Sequence, residues 1–143
     1  MSRGWQLLVL GVLILATLAT ACAGPPGRET AGGSAQGTAA AGRLGPVEAR
    51  ELLAAHPEAL LLDVRNPGEW NDDLGHIEGA RLIPLPELAG RMEEIAAWKD
   101  RPVVVVCRSG GRSSRAASML AAAGFSQAMN LDGGMSAWRR AGF

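Results

Sequence analysis

Little in this chain marks it for metal, nucleic acid or a disulfide framework. It has two cysteines, Cys22 and Cys107, and two histidines, His56 and His76. The cysteines lie in segments of very different composition, so no intramolecular disulfide is expected. A secreted disulfide scaffold would carry more of them. CxxC and HExxH are absent. A zinc site would need scattered single ligands, so no metal site is expected, and no cofactor motif is present. Formal net charge is zero, from 14 basic and 14 acidic residues. That balance gives no basic footprint for nucleic acid and no polybasic patch for anionic lipid.

What is present divides the 143 residues into three stretches. Residues 1–22 carry one charge, Arg3, and an apolar run from Leu7 to Ala21 broken only by Gly11, Thr17 and Thr20. A positive start, a short apolar centre and small residues at the end describe an export signal. The run is shorter than the ~20 residues that span a bilayer comfortably. Residues 23–43 are rich in Gly, Ala and Pro and hold no large apolar side chain. Such a segment cannot bury enough surface to offset its ordering entropy, so it reads as a flexible linker. From Leu44 to Phe143 the composition is globular, about a hundred residues and enough for one core.

Within 44–143 apolar runs alternate with helical patterns. Pro46 suits a first helical turn, and Ala49, Leu52 and Leu53 share a face before Pro57. Leu60–Val64, Arg81–Ile83 and residues around Ala128–Leu131 read as short strands. Pro102–Val106 is the clearest strand, β-branched and continuous, as expected for burial on both faces. Leu85, Leu88, Met92 and Ile95 predict one helix. Ser113–Ala123 predicts another, with Gly124 past its end and Phe125 available for the capping contact. A last helix passes through Ala137 and Trp138. The alternation predicts an α/β fold with a parallel sheet covered on both faces. Ligands of such sheets bind beyond the carboxyl ends of the strands, where Cys107 stands.

The segment Cys107-Arg108-Ser109-Gly110-Gly111-Arg112-Ser113 carries the chemistry. Two glycines let the backbone curl so that successive N–H groups converge. The helix that follows adds its positive end, and Arg108 and Arg112 add charge. A thiol there ionises more easily than a free cysteine. The alternative is a small core residue beside a simple turn. The strand before it and the Gly/Arg loop after it favour a nucleophile.

Four segments resemble motifs of the rhodanese family. They are Leu61-Leu62-Asp63-Val64-Arg65, then Gly75-His76-Ile77-Glu78-Gly79-Ala80, then the Cys107–Ser113 loop, then Leu131-Asp132-Gly133-Gly134-Met135-Ser136-Ala137-Trp138. The resemblance implies a rhodanese-like sheet of about five parallel strands with helices on both faces. It implies a sulfurtransferase in which Cys107 takes sulfur from a small donor such as thiosulfate, holds it as a persulfide, and passes it to cyanide or a thiol. The loop residues Arg108, Ser109, Gly110, Gly111 and Arg112 would bind substrate, with Arg112 holding the donor's oxyanion or bracing the loop. Asp63, Arg65 and Ser113 would support them. His76 would tie a loop, and Trp138 would pack the last helix.

Two other functions share the fold: a non-catalytic binding or sulfur-carrier module, and a phosphatase or arsenate reductase. The latter use a loop with five residues between cysteine and arginine, whereas four separate Cys107 from Arg112. At the other end, Leu18-Ala19-Thr20-Ala21-Cys22 resembles the lipobox of bacterial lipoproteins, with Ala19 where that pattern favours leucine. This implies lipidation of Cys22 and an extracytoplasmic, membrane-anchored protein. A plain signal peptide, giving a periplasmic protein, and an uncleaved anchor are the alternatives.

Overall fold

The structure is a computed structural model, and it describes residues 41–143. Cys22, the expected export signal and most of the expected linker lie outside the described residues.

Strands β1 (Gly42–Leu44), β2 (Leu60–Asp63), β3 (Arg81–Leu82), β4 (Val103–Val106) and β5 (Ala128–Leu131) form one sheet in the order β1-β5-β4-β2-β3. Every pairing is parallel. Helices α1 (Pro46–Ala55), α2 (Leu85–Arg91), α3 (Gly111–Ala122) and α4 (Gly134–Arg140) fill the crossovers and the C-terminus. The expected α/β architecture, with a five-stranded parallel sheet, is thus observed.

Side chains alternate across the two faces because successive strand residues point oppositely. Leu60, Leu62, Val103 and Val105 pack with Leu88, Ile95, Ala116, Leu120 and Phe125 on one face. Leu61, Val104 and Val106 pack with Ala49, Met135 and Trp138 on the other. All four residues of β4 are fully buried, which explains its unbroken run of valine.

Three boundaries differ from the sequence expectation. β1 includes Gly42 and Arg43, which by composition belong to the linker, and it pairs Gly42 with Met129. The folded part therefore begins before Leu44. The helix expected through Ile95 ends at Arg91, whose φ of −119° and ψ of 10° leave the helical region. Met92–Trp98 continues as 3₁₀ turns, and Leu88 and Ile95 still face one core. Helix α3 starts two residues earlier than Ser113, because Gly110 takes a left-handed conformation (φ 97°) and lets Gly111 enter the helix. Its other end closes as expected. Gly124 has φ 91°, and the Phe125 N–H donates to the Leu120 carbonyl at 3.0 Å.

Candidate active site

Cys107 follows β4, the central strand, and the carboxyl ends of both neighbours flank it. β2 delivers Asp63, Val64 and Arg65 on one side, and β5 delivers Asp132, Gly133 and Gly134 on the other. The Val64 N–H donates to the Val106 carbonyl at 2.9 Å, so the β2 side stays in register to the last residue of β4.

The loop is held by its carbonyls. Met135 N–H donates to the Cys107 carbonyl at 2.8 Å, and Ser136 N–H to that of Arg108 at 3.0 Å. With those two oxygens drawn toward α4, the later amides are free to converge on sulfur. Gly134 makes this approach possible. It sits at φ 56°, and a Cβ on it would strike the Cys107 carbonyl oxygen and lie 2.8 Å from the Arg108 carbonyl carbon. Gly110 also needs its left-handed turn, and a Cβ there would lie 3.0 Å from the Gly133 nitrogen.

Cys107 Sγ accepts the Gly110 N–H at 3.1 Å and lies 3.2 Å from the Ser113 hydroxyl, which donates to it or to the Gly110 carbonyl. Burial pushes the thiol up, because it disfavours charge. The Ser113 hydroxyl and the amides of Ser113, Ser109 and Gly110 outweigh it, so the thiol lies below its ordinary value. Cys107 is 1% exposed and Ser113 is fully buried, so little water competes for these bonds. The arrangement stabilises an anionic sulfur without a histidine.

Asp63 and Arg65 are both fully buried and paired, with Arg65 Nε 2.9 Å from Asp63 Oδ2. Arg65 also donates to the Gly75 carbonyl at 2.8 Å and lies 3.6 Å from Asp72. The pair thus ties the segment after β2 to the 72–75 turn. Removing either partner would leave an uncompensated buried charge, at a cost of about 3–5 kcal/mol. His76 stacks on Trp70 with ring centroids 4.1 Å apart, and its Nδ1 is 3.2 Å from the Trp70 carbonyl oxygen.

The two loop arginines are engaged by carboxylates. Arg112 makes a bidentate pair with Glu69 at 2.7 and 2.6 Å. Arg108 meets Asp72 at 2.7 Å and Asp73 at 3.4 Å. The Glu69 pair ties Arg112 to the segment after β2. Glu69 ends a 3₁₀ turn, Pro67–Glu69, and its carboxylate also accepts the Asn66 N–H at 3.0 Å. The Arg112 guanidinium, with that backbone bond behind it, overcomes the burial cost and holds the Glu69 carboxyl down at about 2. Sequence reasoning missed Glu69, Asp72 and Asp73. The spacing of Asn66 and Glu69 is a capping-box signature and was the available signal for the first.

Beside the loop a cleft of about 280 Å3 is lined by Ser109, Gly110 and Gly111, with Arg43 and Asp132 opposite. Three of the expected substrate-binding residues thus share one wall. Arg43 is paired with Asp132 at 3.0 Å.

Residues 46–141 match the family of rhodanese-like domains. Among curated proteins, a sulfurtransferase of Allochromatium vinosum is 42% identical over 92 residues, covering 64% of this chain and 82% of its own. The thiosulfate sulfurtransferase GlpE of Ectopseudomonas mendocina is 37% identical over 97 residues, covering 68% and 84%. A probable adenylyltransferase/sulfurtransferase of Mycobacterium tuberculosis, MoeZ, is 42% identical over 96 residues, 66% of this chain and only 24% of that much longer protein. Among solved structures, a rhodanese-like domain from Anabaena is 30% identical with a TM-score of 0.61, covering 70% of this chain and 74% of that one. A human single-domain sulfurtransferase is 30% identical with a TM-score of 0.58, covering 70% and 96%. With residues 46–141, two thirds of its length, matched by the family model, this chain belongs to the rhodanese-like domain family.

Proposed function

We propose that the domain is a sulfurtransferase that moves sulfane sulfur from a donor such as thiosulfate to cyanide or a thiol through a persulfide on Cys107. The observation that carries this is the ring of donors around Cys107 Sγ, the Gly110 amide at 3.1 Å and the Ser113 hydroxyl at 3.2 Å. In the first half-reaction the Cys107 thiolate attacks the outer sulfur of thiosulfate. The sulfur–sulfur bond breaks and sulfite leaves with its electron pair. The product is a persulfide whose terminal sulfur is anionic, and preorganised amides favour that charge. In the second half-reaction the acceptor attacks that terminal sulfur, and the Cys107 thiolate is released. The cleft lined by Ser109, Gly110 and Gly111 leaves open space beside the loop that holds Cys107. The names of the Allochromatium and Ectopseudomonas relatives support the same reading. The short loop also favours it over the phosphatase reading. Its amides close on the sulfur itself, and four residues rather than five precede Arg112.

Turnover with thiosulfate and with mercaptopyruvate, against cyanide and a dithiol, tests the proposal. Thiocyanate formed from thiosulfate and cyanide supports it. Cleavage of a phosphate ester without sulfur turnover would replace it with the phosphatase reading.

The site of action is a second proposal, resting on sequence alone. Arg3, the apolar run and the Leu18–Cys22 segment support export and a lipid anchor on Cys22 at a bacterial membrane. Mass spectrometry of the membrane-extracted protein should find an N-terminus at Cys22 bearing acyl chains. An intact Met1 or an unmodified Cys22 thiol would contradict the anchor.

A further inference from the structure

We propose that Glu69 is a specificity-determining residue that withholds Arg112 from the sulfur donor and so disfavours donors of high negative charge. This rests on the sulfurtransferase reading and adds a donor class to it.

The argument begins with charge at the mouth. Arg112 is the last cation of the loop and directly precedes Ser113, whose hydroxyl touches Cys107 Sγ. The field of the Cys107 thiolate reaches its guanidinium. An unpaired arginine there would attract an oxyanion. Both terminal nitrogens of Arg112 are instead bonded to the two oxygens of Glu69 at 2.7 and 2.6 Å. Arg108 meets Asp72 and Asp73. With Arg65 lying between Asp63 and Asp72, three guanidiniums thus face four carboxylates, a local charge of −1 before the thiolate is counted. A dianion approaching Cys107 finds no free cation in the loop and a repulsive field. The clamp is not released by ordinary changes of pH, since Arg112 keeps the Glu69 carboxyl at about 2. Donors of lower charge, monoanionic thiosulfonates or organic persulfides, meet less repulsion. A persulfide donor R–S–SH would give Cys107–S–S⁻ and R–SH, the outer sulfur moving to Cys107 and its proton passing to the departing thiolate.

Thiosulfate and methanethiosulfonate form a matched pair of probes. Both present an outer sulfur on a sulfonyl centre, and they differ by one negative charge. In the unmodified protein, kcat/KM for thiosulfate should rise with added salt, and more steeply than for methanethiosulfonate, because salt screens the repulsion. This arm needs no variant, and a fall with salt for thiosulfate would overturn the proposal. In Glu69→Gln the thiosulfate value should rise roughly tenfold and the methanethiosulfonate value roughly threefold, with a shallower salt slope. A Glu69→Gln/Arg112→Gln double variant should lose the gain. Equal changes for both donors, no gain for thiosulfate, or a gain that survives in the double variant would each refute the role of Glu69. Failure of both donors to load sulfur on Cys107 in the unmodified protein would instead overturn the sulfurtransferase reading on which it rests.

Discussion

Gly134→Ala is the substitution that most directly probes how the loop is held. Alanine would have to adopt a φ near 56°, a left-handed conformation that costs about 1 kcal/mol or more without a glycine. Its Cβ would also collide with the Cys107 carbonyl oxygen and crowd the Arg108 carbonyl, whose oxygen would lie 2.9 Å away. The neighbours are backbone, so no side chain can rotate aside. Either the loop or the start of α4 must move. That movement breaks the bonds from Met135 and Ser136 to the two carbonyls, each worth about 1 kcal/mol. The total is on the order of 3 kcal/mol, or roughly 15 °C in Tm for a domain of this size. Urea unfolding measures the first effect. The rate of Cys107 alkylation against pH measures the second, because a displaced loop carries the Gly110 amide away from Sγ. Expected are a lower midpoint and a reactivity profile shifted to higher pH. Stability within 1 kcal/mol of the parent, together with an unchanged profile, would refute the account of Gly134.

Ser113→Ala removes the side-chain donor that counts most among those lowering the Cys107 thiol, so the alkylation profile should move to higher pH while the fold is retained. Glu69 titrates lower when folded than unfolded, so its pair with Arg112 adds stability above the unfolded carboxylate range and loses it as pH falls toward about 2. Both side chains are partly solvated, 22% and 34% exposed, so Glu69→Gln should cost no more than about 1 kcal/mol at pH 7, the difference vanishing near pH 2 in urea titrations. A chain starting at Ala41 should match the full protein in urea, whereas one starting at Leu44 should be about 1–2 kcal/mol weaker, having lost the Gly42 and Arg43 pairings with β5 and the Arg43–Asp132 contact.

The parts of the fold readable in the sequence were those fixed by burial. Leu60–Leu62 and Val103–Val106 are continuous apolar runs because helices cover both faces of the sheet, and they read as strands for that reason. β1 was not legible. Gly42-Arg43-Leu44 has one apolar residue of three, and its strand character comes from pairing with β5, some ninety residues along the chain. Arg91 turned a predicted single helix into a helix followed by 3₁₀ turns without changing which side chains are buried, so periodicity could not register it.

The candidate site divides in the same way. The cradle around Cys107 followed from local chemistry, a strand end, two glycines and a helix start. Its counter-charges did not. Glu69, Asp72 and Asp73 reach the loop only because β2 lies beside β4, so that the segment after Asp63 folds over the Cys107 side. The carboxylate partners of the two arginines were not legible because they lie 35 or more residues earlier in the chain.

The central claim is that Cys107 carries sulfur as a persulfide, and mass spectrometry of the peptide that contains it tests it most directly. After incubation with a sulfane-sulfur donor, the Cys107 peptide should gain one sulfur atom. Cyanide should then remove it and release thiocyanate, and Cys107→Ser should gain nothing, because a hydroxyl does not ionise near neutral pH. A Cys107 that stays unmodified with thiosulfate, methanethiosulfonate and an organic persulfide alike, in a folded protein, would contradict the account.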